Sequence, residues 1–304
     1  MATLAVGVYF ADVKGFPFDK YNPRGRNLGH VRVTHGGVCR NVAEDLLHVG
    51  EKVTFLSLCD ESAIARDMER HLAEEGADVS PSLHVKENGI GMFLAVLNDQ
   101  GDLAGSISQM PETEALEEYI HARCDIWVQA AESIVLEIDL SASITADILQ
   151  SAAKFGKKVY ALVGNMSVVL AHPEQLRHLD CFICNEVEAG RLFGTTDVLM
   201  TPEELLEILP SEMEKLSIPA MVVTMGKDGA IYYDSRTGEK GKCPTFAKRI
   251  VDTTGAGDAF LAGFVAARNH HKPLSEAVRS ASRLAAVALE SEQSVAPRME
   301  HFID

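Results

Sequence analysis

Two kinds of apolar pattern alternate along the chain. Short runs of apolar residues are TLAVGVYF at 3–10, KVTFLSL at 52–58, SIVLEID at 133–139 and KKVYALV at 157–163. Segments in which apolar residues recur every three or four positions are NVAEDLLHVG at 41–50, AIARDMERHLAEEG at 63–76 and TADILQSAAKFG at 145–156. The runs indicate strands and the periodic segments indicate helices. Their alternation predicts an α/β fold, with a doubly wound, mostly parallel central sheet and helices on both faces.

Two stretches interrupt this alternation and carry no helical pattern. Residues 13–35 are polar and rich in turn residues, with a short strand expected near their end. Residues 89–110 form a hairpin pattern, in which two strand-like runs flank Asp99-Gln100-Gly101-Asp102. We expect both stretches to build a small β-sheet lid over a substrate cleft, standing off the main sheet.

Composition and charge exclude some kinds of partner for this protein. The chain has 304 residues, of which 46% are hydrophobic, and its formal net charge is −16. So acidic a surface argues against nucleic acid polymers and anionic membranes as partners. The first residues have no basic region or cleavage site typical of a signal peptide. We therefore expect one domain spanning 1–304, located in the cytoplasm.

Cysteine usage favours a reduced protein with buried thiols. Cys181 and Cys184 form a C-x-x-C pair within the apolar run LDCFIC, and no second pair accompanies it. A metal or redox pair is one interpretation. The apolar neighbours favour the other, a buried strand, because free cysteine is among the most buried residue types.

The stretch DTTGAGDAF at 252–260 carries the strongest chemical signal. Gly255 and Gly257 allow close approach to the backbone, and the apolar run that follows them is helical. The amides of Ala256, Gly257 and Asp258 would form an anion hole at a positive helix end. Asp258 would lie beside it as a base, although capping of the helix is an equally simple role. Neither a G-x-x-x-x-G-K-[ST] loop nor a G-x-G-x-x-G fingerprint is present.

Four motifs in order resemble the ribokinase-like (PfkB) carbohydrate kinase family. They are GGVCRNVAEDLLHVG at 36–50, NEVEAGRLFG at 185–194, VVTMGKDGAIYY at 222–233 and DTTGAGDAF itself. The resemblance spans nearly the whole chain. It implies a ribokinase-like fold and an ATP-dependent phosphotransferase that requires Mg²⁺ and acts on a hydroxyl of a sugar or nucleoside.

The resemblance also implies roles for individual residues. Asp258 corresponds to the catalytic base, with Gly255, Ala256 and Gly257 at the anion hole. The implied acceptor-binding residues are Asp12, Gly36, Gly37 and Asn41, and the implied ATP contacts are Thr224, Gly226 and Gly229. Asn185 and Glu188 correspond to the pair that organises magnesium and its waters. Asp252 and Thr254, with the loop at 291–294, correspond to a site for a monovalent cation such as K⁺.

Local details are most similar to the pseudouridine kinase subgroup. The N-terminal motif reads G-G-V-C-R-N rather than G-G-K-G-A-N, and the hairpin FLAVLNDQGDLAGSIS is similar to that of the subgroup. Two departures leave the acceptor open: Gln109 stands where an aspartate is expected, and VGNMSVV at 163–169 replaces an Asp-Pro-Val-Ser pattern. We expect pseudouridine or a related nucleoside.

Other functions remain as alternatives at this stage. A kinase for ribose, fructose or a sugar phosphate is one, and Arg24, Arg26, Arg32 and Arg40 are candidates to contact a substrate phosphate. We expect most of these arginines to be charges on the lid surface. A non-catalytic ligand-binding member of the fold is another alternative, but such a protein would not need Asp258. A homodimer formed through the lid is expected by analogy with the family.

Overall fold

The computed structural model describes residues 1–195, 200–291, 293–299 and 301–303. Its strands, in chain order, are β1 Ala2–Val6, β2 Phe10–Pro17, β3 Gly29–Gly36, β4 Val53–Leu56, β5 Leu58–Asp60, β6 Leu83–Val85, β7 Gly91–Leu97, β8 Leu103–Gln109, β9 Ala131–Glu137, β10 Lys158–Leu162, β11 Cys181–Asn185, β12 Ala220–Thr224, β13 Ala230–Asp234 and β14 Lys240–Cys243. Its α-helices are α1 Val38–His48, α2 Ala63–Glu74, α3 Glu114–Ala130, α4 Ala142–Phe155, α5 Met166–Ala171, α6 Glu186–Phe193, α7 Pro202–Leu216, α8 Ala256–Asn269 and α9 Leu274–Leu289.

The central sheet has eight strands among the described residues, in the order β14-β13-β12-β11-β10-β9-β1-β4. All neighbouring pairs from β4 to β12 are parallel, whereas β13 and β14 add an antiparallel edge. The prediction of a mostly parallel central sheet is therefore confirmed. Because parallel strands share a direction, their carboxyl ends meet at one edge, where ligands bind in open α/β sheets.

Helices cover both faces of this sheet, as predicted. Along β9, Ile134 and Leu136 pack into one core, whereas Val135, between them, packs into the other. The first core contains residues of α3, α4 and α7, and the second contains residues of α1, α2, α8 and α9. A strand buried on both faces has no polar face, which explains the nearly continuous apolar runs in the sequence.

A separate four-stranded sheet, called the small sheet below, has the order β3-β2-β7-β8. The interrupting stretches of the sequence contribute these strands, so the prediction of a small β-sheet in addition to the main sheet is confirmed. One detail was wrong: residues 13–35 contribute two strands rather than one, because β2 continues to Pro17 and pairs along its length with β3. Gly15 and Pro17 within β2 obscured this strand in the sequence.

The run TLAVGVYF was also wrongly interpreted as one strand. β1 ends at Val6, and Phe10 begins β2 in the small sheet. A Cβ on Gly7 would lie 2.2 Å from the Cβ of Cys39, so the chain bends at a glycine that packs directly against α1. This short crossing connects the main sheet to the small sheet.

The cysteine prediction is confirmed. Cys181 and Cys184 are both buried in β11, with 2% and 4% exposure, and neither forms a disulfide. Within the described part of the chain, no helix has the length and apolar character required to cross a membrane.

Candidate active site

The start of α8 is held in place by a glycine in the left-handed region. Gly255 has φ 79°, and a Cβ at this position would lie 1.8 Å from the carbonyl oxygen of Ser294. No residue with a side chain fits this position unless the segment around Ser294 moves. The Gly255 conformation therefore sets the direction in which α8 begins.

Backbone donors are available at this helix end. Ala256 N donates to Thr253 O at 3.4 Å, a long hydrogen bond, while the amides of Gly257 and Asp258 have no acceptor among the described residues. A Cβ on Gly257 would meet nothing within 4 Å, so space is open above these amides. Free amides beside open space at a helix N-terminus are suited to bind an anion.

Asp258, in the first turn of α8, is held by a chain of side chains from α1. Asn41 Nδ2 donates to Asp258 Oδ2 at 2.8 Å, and Arg40 Nη1 donates to Asn41 Oδ1 at 2.9 Å. Arg40 in turn forms a buried ion pair with Glu44. These bonds fix the orientation of the Asn41 amide. Arg40 is only 3% exposed, so it is the exception among the four arginines, most of which were expected to be charges on the lid surface.

Asp12 brings a second carboxylate to the same site from β2. A Cβ on Gly36 would lie 2.7 Å from Asp12 Oδ2, so glycine leaves room for this carboxylate. Gly37, with φ 105°, begins α1 and would place a Cβ 2.4 Å from Val8 O. The structure thus brings Asp12, Gly36, Gly37 and Asn41 together around Asp258, as predicted.

Electrostatics distinguish Asp258 from an ordinary helix cap. Burial raises the pKa of Asp258 to about 7, and the negative charge of Asp12 acts in the same direction. The hydrogen bond from Asn41 and the charge of Arg40 oppose this rise. A carboxyl group with a pKa near neutrality can both take up and release a proton, which is the property that general acid–base chemistry requires.

Asn185 and Glu188 form a reciprocal cap at the start of α6. Asn185 Oδ1 accepts from Glu188 N, and Glu188 Oε2 accepts from Asn185 N, both at 2.9 Å. Burial raises the pKa of Glu188, and the charge of Asp139 adds to this rise. Asp139 accepts from the amides of Gly164 and Asn165. The capping bonds leave Glu188 Oε1 free, so this pair fits a hydrated divalent ion held mainly through water.

Glu137 and Asp139 were missed by the sequence reasoning. They follow the apolar part of SIVLEID, at the carboxyl end of the central strand β9. Burial raises the pKa of Glu137 to about 8, and Asp139 and Asp258 both contribute to the rise. Two acidic residues ending a run that is otherwise apolar were the available signal, since buried carboxylates are rare without a role.

A cavity of about 330 Å³ lies on the other side of the α8 start. Its walls include Thr224, Gly226 and Gly229 from the β12–β13 turn and Ala256 and Gly257 from α8. Apolar side chains of α8 and α9, such as Phe260 and Leu289, line its interior. The structure therefore places the three residues predicted to contact a nucleotide next to the predicted anion hole, in a pocket suited to a flat apolar ring.

Asp252 and Thr254 lie in the turn that leads into α8. Thr254 N donates to Asp252 Oδ1 at 2.8 Å, and this bond is the main reason that the pKa of Asp252 is lowered. The Ser294 carbonyl lies directly beside Gly255, so the loop predicted to join this site is adjacent to it. Residue 292 of that loop lies outside the described residues.

Comparisons with known proteins identify the family. Residues 8–301 match the family described as pfkB family carbohydrate kinase. The chain is 30% identical over 295 residues to guanosine-inosine kinase of Exiguobacterium acetylicum, covering 97% of this chain and 96% of that protein. It is 26% identical over 292 residues to pseudouridine kinase of Escherichia coli, covering 96% and 91% of the two chains.

Solved structures agree on the fold. Arabidopsis thaliana ribokinase, solved with ribose and ATP, has a TM-score of 0.82 at 21% identity, covering 98% of this chain and 97% of that one. Thermotoga maritima ribokinase has a TM-score of 0.78 at 19% identity, covering 98% and 97%. The predicted ribokinase-like fold is confirmed. The chain belongs to the PfkB carbohydrate kinase family, and it is a sugar or nucleoside kinase.

Proposed function

We propose that this chain, acting as one catalytic domain, transfers the γ-phosphoryl group of ATP to a hydroxyl of a nucleoside. The observation that carries the proposal is the convergence of Asp258, Asn41 and Asp12 beside the free amides of the α8 start. The cavity on the other side of those amides has room for a nucleotide. Two ligands could thus approach the same helix end from opposite sides, as in-line transfer requires.

Asp258 acts as the general base in this proposal. Asn41 and Arg40 hold the carboxylate in place, and the acceptor hydroxyl gives its proton to Asp258 as it attacks phosphorus. The amides of Gly257 and Asp258 stabilise the negative charge on the transferring group, with Ala256 joining when its long bond to Thr253 opens.

ATP is assigned to the cavity beside Thr224, Gly226 and Gly229. Its adenine would lie among the apolar side chains of α8 and α9, with the phosphates directed toward Gly257. Asn185 and Glu188 would hold Mg²⁺ through water, and the ion would supply positive charge to the phosphates. Asp252, Thr254 and the Ser294 carbonyl provide oxygen atoms for a K⁺ ion beside the anion hole.

A nucleoside acceptor is favoured over a free sugar for two reasons. Phe93 is paired with Asp12 across β2 and β7, so a partly exposed aromatic ring lies next to the residue assigned to the sugar hydroxyls. A base can stack on such a ring, whereas ribose or fructose gains little from it. Two relatives that cover almost the entire chain, at 30% and 26% identity, are named for nucleoside substrates, guanosine and inosine in one and pseudouridine in the other.

The test compares the parent enzyme with Asp258→Asn on a panel of guanosine, inosine, pseudouridine, ribose, fructose and fructose 6-phosphate. Asparagine keeps the size of the side chain but cannot take up the proton, so kcat should fall by ~10²–10⁴-fold while KM changes little. ADP release is measured, and thermal melting confirms that the variant folds. A folded variant that retains kcat within a few-fold would contradict the role of Asp258.

The panel also decides the acceptor. The proposal expects the highest kcat/KM with one of the three nucleosides. A preference for ribose or fructose would replace it with a sugar kinase, and a preference for the sugar phosphate would turn attention to the exposed Arg24, Arg26 and Arg32. In each of these cases the role of Asp258 is measured independently of the identity of the acceptor.

We also propose that two copies of the chain pair through the small sheet. Val13, Val33, Leu94 and Ile107 are aligned across its four strands and form an apolar row on the face opposite Asp12. Ile107 is 68% exposed and Val33 52%. Contiguous exposed apolar rows of this kind mark interaction surfaces, and an identical row on a second copy is a suitable partner.

A further inference from the structure

Three side chains that can bind a metal converge at a place separate from the active site. The ligand atoms of Cys59, Glu69 and His84 all lie within 4.8 Å of one another. They come from three different elements, because Cys59 lies in β5, Glu69 in α2 and His84 in β6. The fold, rather than proximity in the sequence, therefore creates this cluster.

The cluster has a buried side and an open side. Cys59 is fully buried, Glu69 has 16% side-chain exposure, and His84 has 59%. His84 Nε2 lies 2.9 Å from Glu69 Oε2. An ion could reach the thiol past the His84 ring, which lies at the surface.

Two buried polar atoms at this place lack the partners that they need. Glu69 Oε1 and the hydroxyl of Tyr9 have no hydrogen-bond partner among the described residues. Tyr9 is fully buried, and after burial itself the charges of Glu69 and Cys59 are the largest causes that raise its pKa. The tyrosine hydroxyl is therefore near enough to Glu69 and Cys59 to be affected by their charges. Unpaired buried polar groups are costly, so their presence here points to a missing ligand.

We propose that Cys59, Glu69 and His84 form a binding site for a zinc-class divalent transition metal. Thiolate, imidazole and carboxylate together are a typical zinc ligand set, and thiolate disfavours Mg²⁺ and Ca²⁺. Ligand atoms around tetrahedral zinc are about 3.4 Å apart given typical bond lengths. The His84–Glu69 pair would open slightly to admit the ion, which the exposure of His84 permits.

A comparable group elsewhere in the chain provides a contrast. His121 pairs with Asp147, and Cys124 lies nearby, its thiol donating to the backbone carbonyl of Asp147 just as the Cys59 thiol donates to that of Asp60. This group is not among the sets of converging ligands found in the described residues. A histidine–carboxylate pair near a cysteine is therefore not enough, and convergence on one point distinguishes the Cys59 site.

The position of the site suggests what the metal would do. Asp60, next to Cys59, accepts from Gly89 N at 2.8 Å, and Gly91 N donates to Tyr9 O at 2.8 Å. Both bonds lie where the chain enters β7 of the small sheet. A bound ion would connect β5, β6 and α2 at the base of this sheet, and so stabilise the position from which it extends.

The experiment titrates the full-length protein, freed of metal, with Co²⁺ as a spectroscopic probe for zinc. A near-ultraviolet thiolate-to-cobalt band should saturate at one equivalent, and added Zn²⁺ should abolish it. Cys59→Ser should lose this band, while Glu69→Gln and His84→Gln should bind Co²⁺ at least tenfold more weakly. The matched controls Cys124→Ser and His121→Gln should behave like the parent.

The outcomes separate this proposal from the kinase proposal. Oxygen ligands at Asn185 and Glu188 cannot produce a thiolate band, so Co²⁺ at the active site does not imitate the result. Absence of the band in the parent, or its persistence in Cys59→Ser, would overturn the proposal. As a second readout, Zn²⁺ should raise the melting temperature of the parent and not of His84→Gln. An equal rise in both would also overturn it.

Discussion

In the proposed mechanism, the protonation state of Asp258 controls the rate of the reaction. Burial and the neighbouring Asp12 raise its pKa to about 7, whereas the Asn41 hydrogen bond and Arg40 hold it down. Because the base must be unprotonated, activity is present above this pKa and is lost as pH falls through it. The pKa of Asp258 therefore depends on neighbouring residues of α1 and β2, not on Asp258 alone.

We therefore expect kcat/KM for the acceptor, measured at saturating ATP and Mg²⁺, to fall about tenfold per pH unit below pH ~7. Asn41→Ala removes a hydrogen bond that favours the charged form, so its acid limb should move to higher pH. Asn269→Ala, at the opposite end of α8, is the control and should keep the midpoint of the parent. Coincident profiles for the parent and Asn41→Ala would show that Asn41 does not tune the base.

At the scale of elements, two glycines at the start of α8 differ in their surroundings. Gly255 is required by its positive φ and by the Ser294 carbonyl, whereas a Cβ on Gly257 meets only open space. Both glycines occur in the same motif and are equivalent in the sequence pattern. Glycine at position 255 is therefore needed for packing, whereas Gly257 leaves space that a ligand can occupy.

The two glycines should therefore respond differently to alanine. Gly255→Ala should lower the melting temperature by several degrees, because it combines strain with a clash. Gly257→Ala should leave the melting temperature unchanged or slightly higher, because alanine favours the helix, yet kcat/KM should fall by at least tenfold as the methyl group intrudes on the phosphoryl site. Full activity in Gly257→Ala would exclude ligand binding above this amide.

The start of α6 allows an equally direct test of the magnesium assignment. Glutamine at position 188 preserves the reciprocal cap with Asn185, since both glutamate and glutamine serve in a capping box. Glu188→Gln should thus fold normally, while the Mg²⁺ concentration for half-maximal rate rises several-fold because a negative charge is lost. The measurement is a magnesium titration at fixed ATP. An unchanged titration would remove Glu188 from the metal site.

At the scale of the whole molecule, the small sheet has two different faces. Asp12 and Phe93 face the cleft, whereas Val13, Val33, Leu94 and Ile107 form the apolar row on the opposite face. Strand pleating produces this division, because successive side chains point to opposite sides. In the proposal, one face of the sheet covers the acceptor and the other face contacts a second copy.

Ile107→Asp should convert a dimer to a monomer, because it places a charge on the most exposed residue of the apolar row, at the β8 end of that row. Ser108→Asp, the next residue of β8, lies on the other face and is the matched control for self-association. Sedimentation velocity at several concentrations measures the outcome. If the parent is itself a monomer at concentrations well above those of the assay, the pairing proposal is wrong.

Local patterns in the sequence were sufficient to predict much of the architecture. The strand–helix alternation predicted the central sheet, the two interruptions predicted the small sheet, and the four motifs predicted the family, all of which are confirmed. The strand β2 and the break after Val6 were missed because glycine and proline conceal strands from a periodicity argument. The assigned roles of the site residues stay predictions until the variants are measured.

What the sequence determined by itself was the kind of element at each position and the residues able to do chemistry. Periodicity and turn residues act over a few neighbours, so they are visible in a linear chain. Only the tertiary structure decided which of those residues meet. Asn41 and Asp258 are 217 positions apart and form a hydrogen bond. Arg40 is buried against Asn41, and Glu137 lies at the end of β9, near enough to Asp258 for the two charges to interact. Cys59, Glu69 and His84 converged in the same way. Parallel strands bring their carboxyl ends to one edge whatever their order in the chain, and this long-range pairing has no local signature.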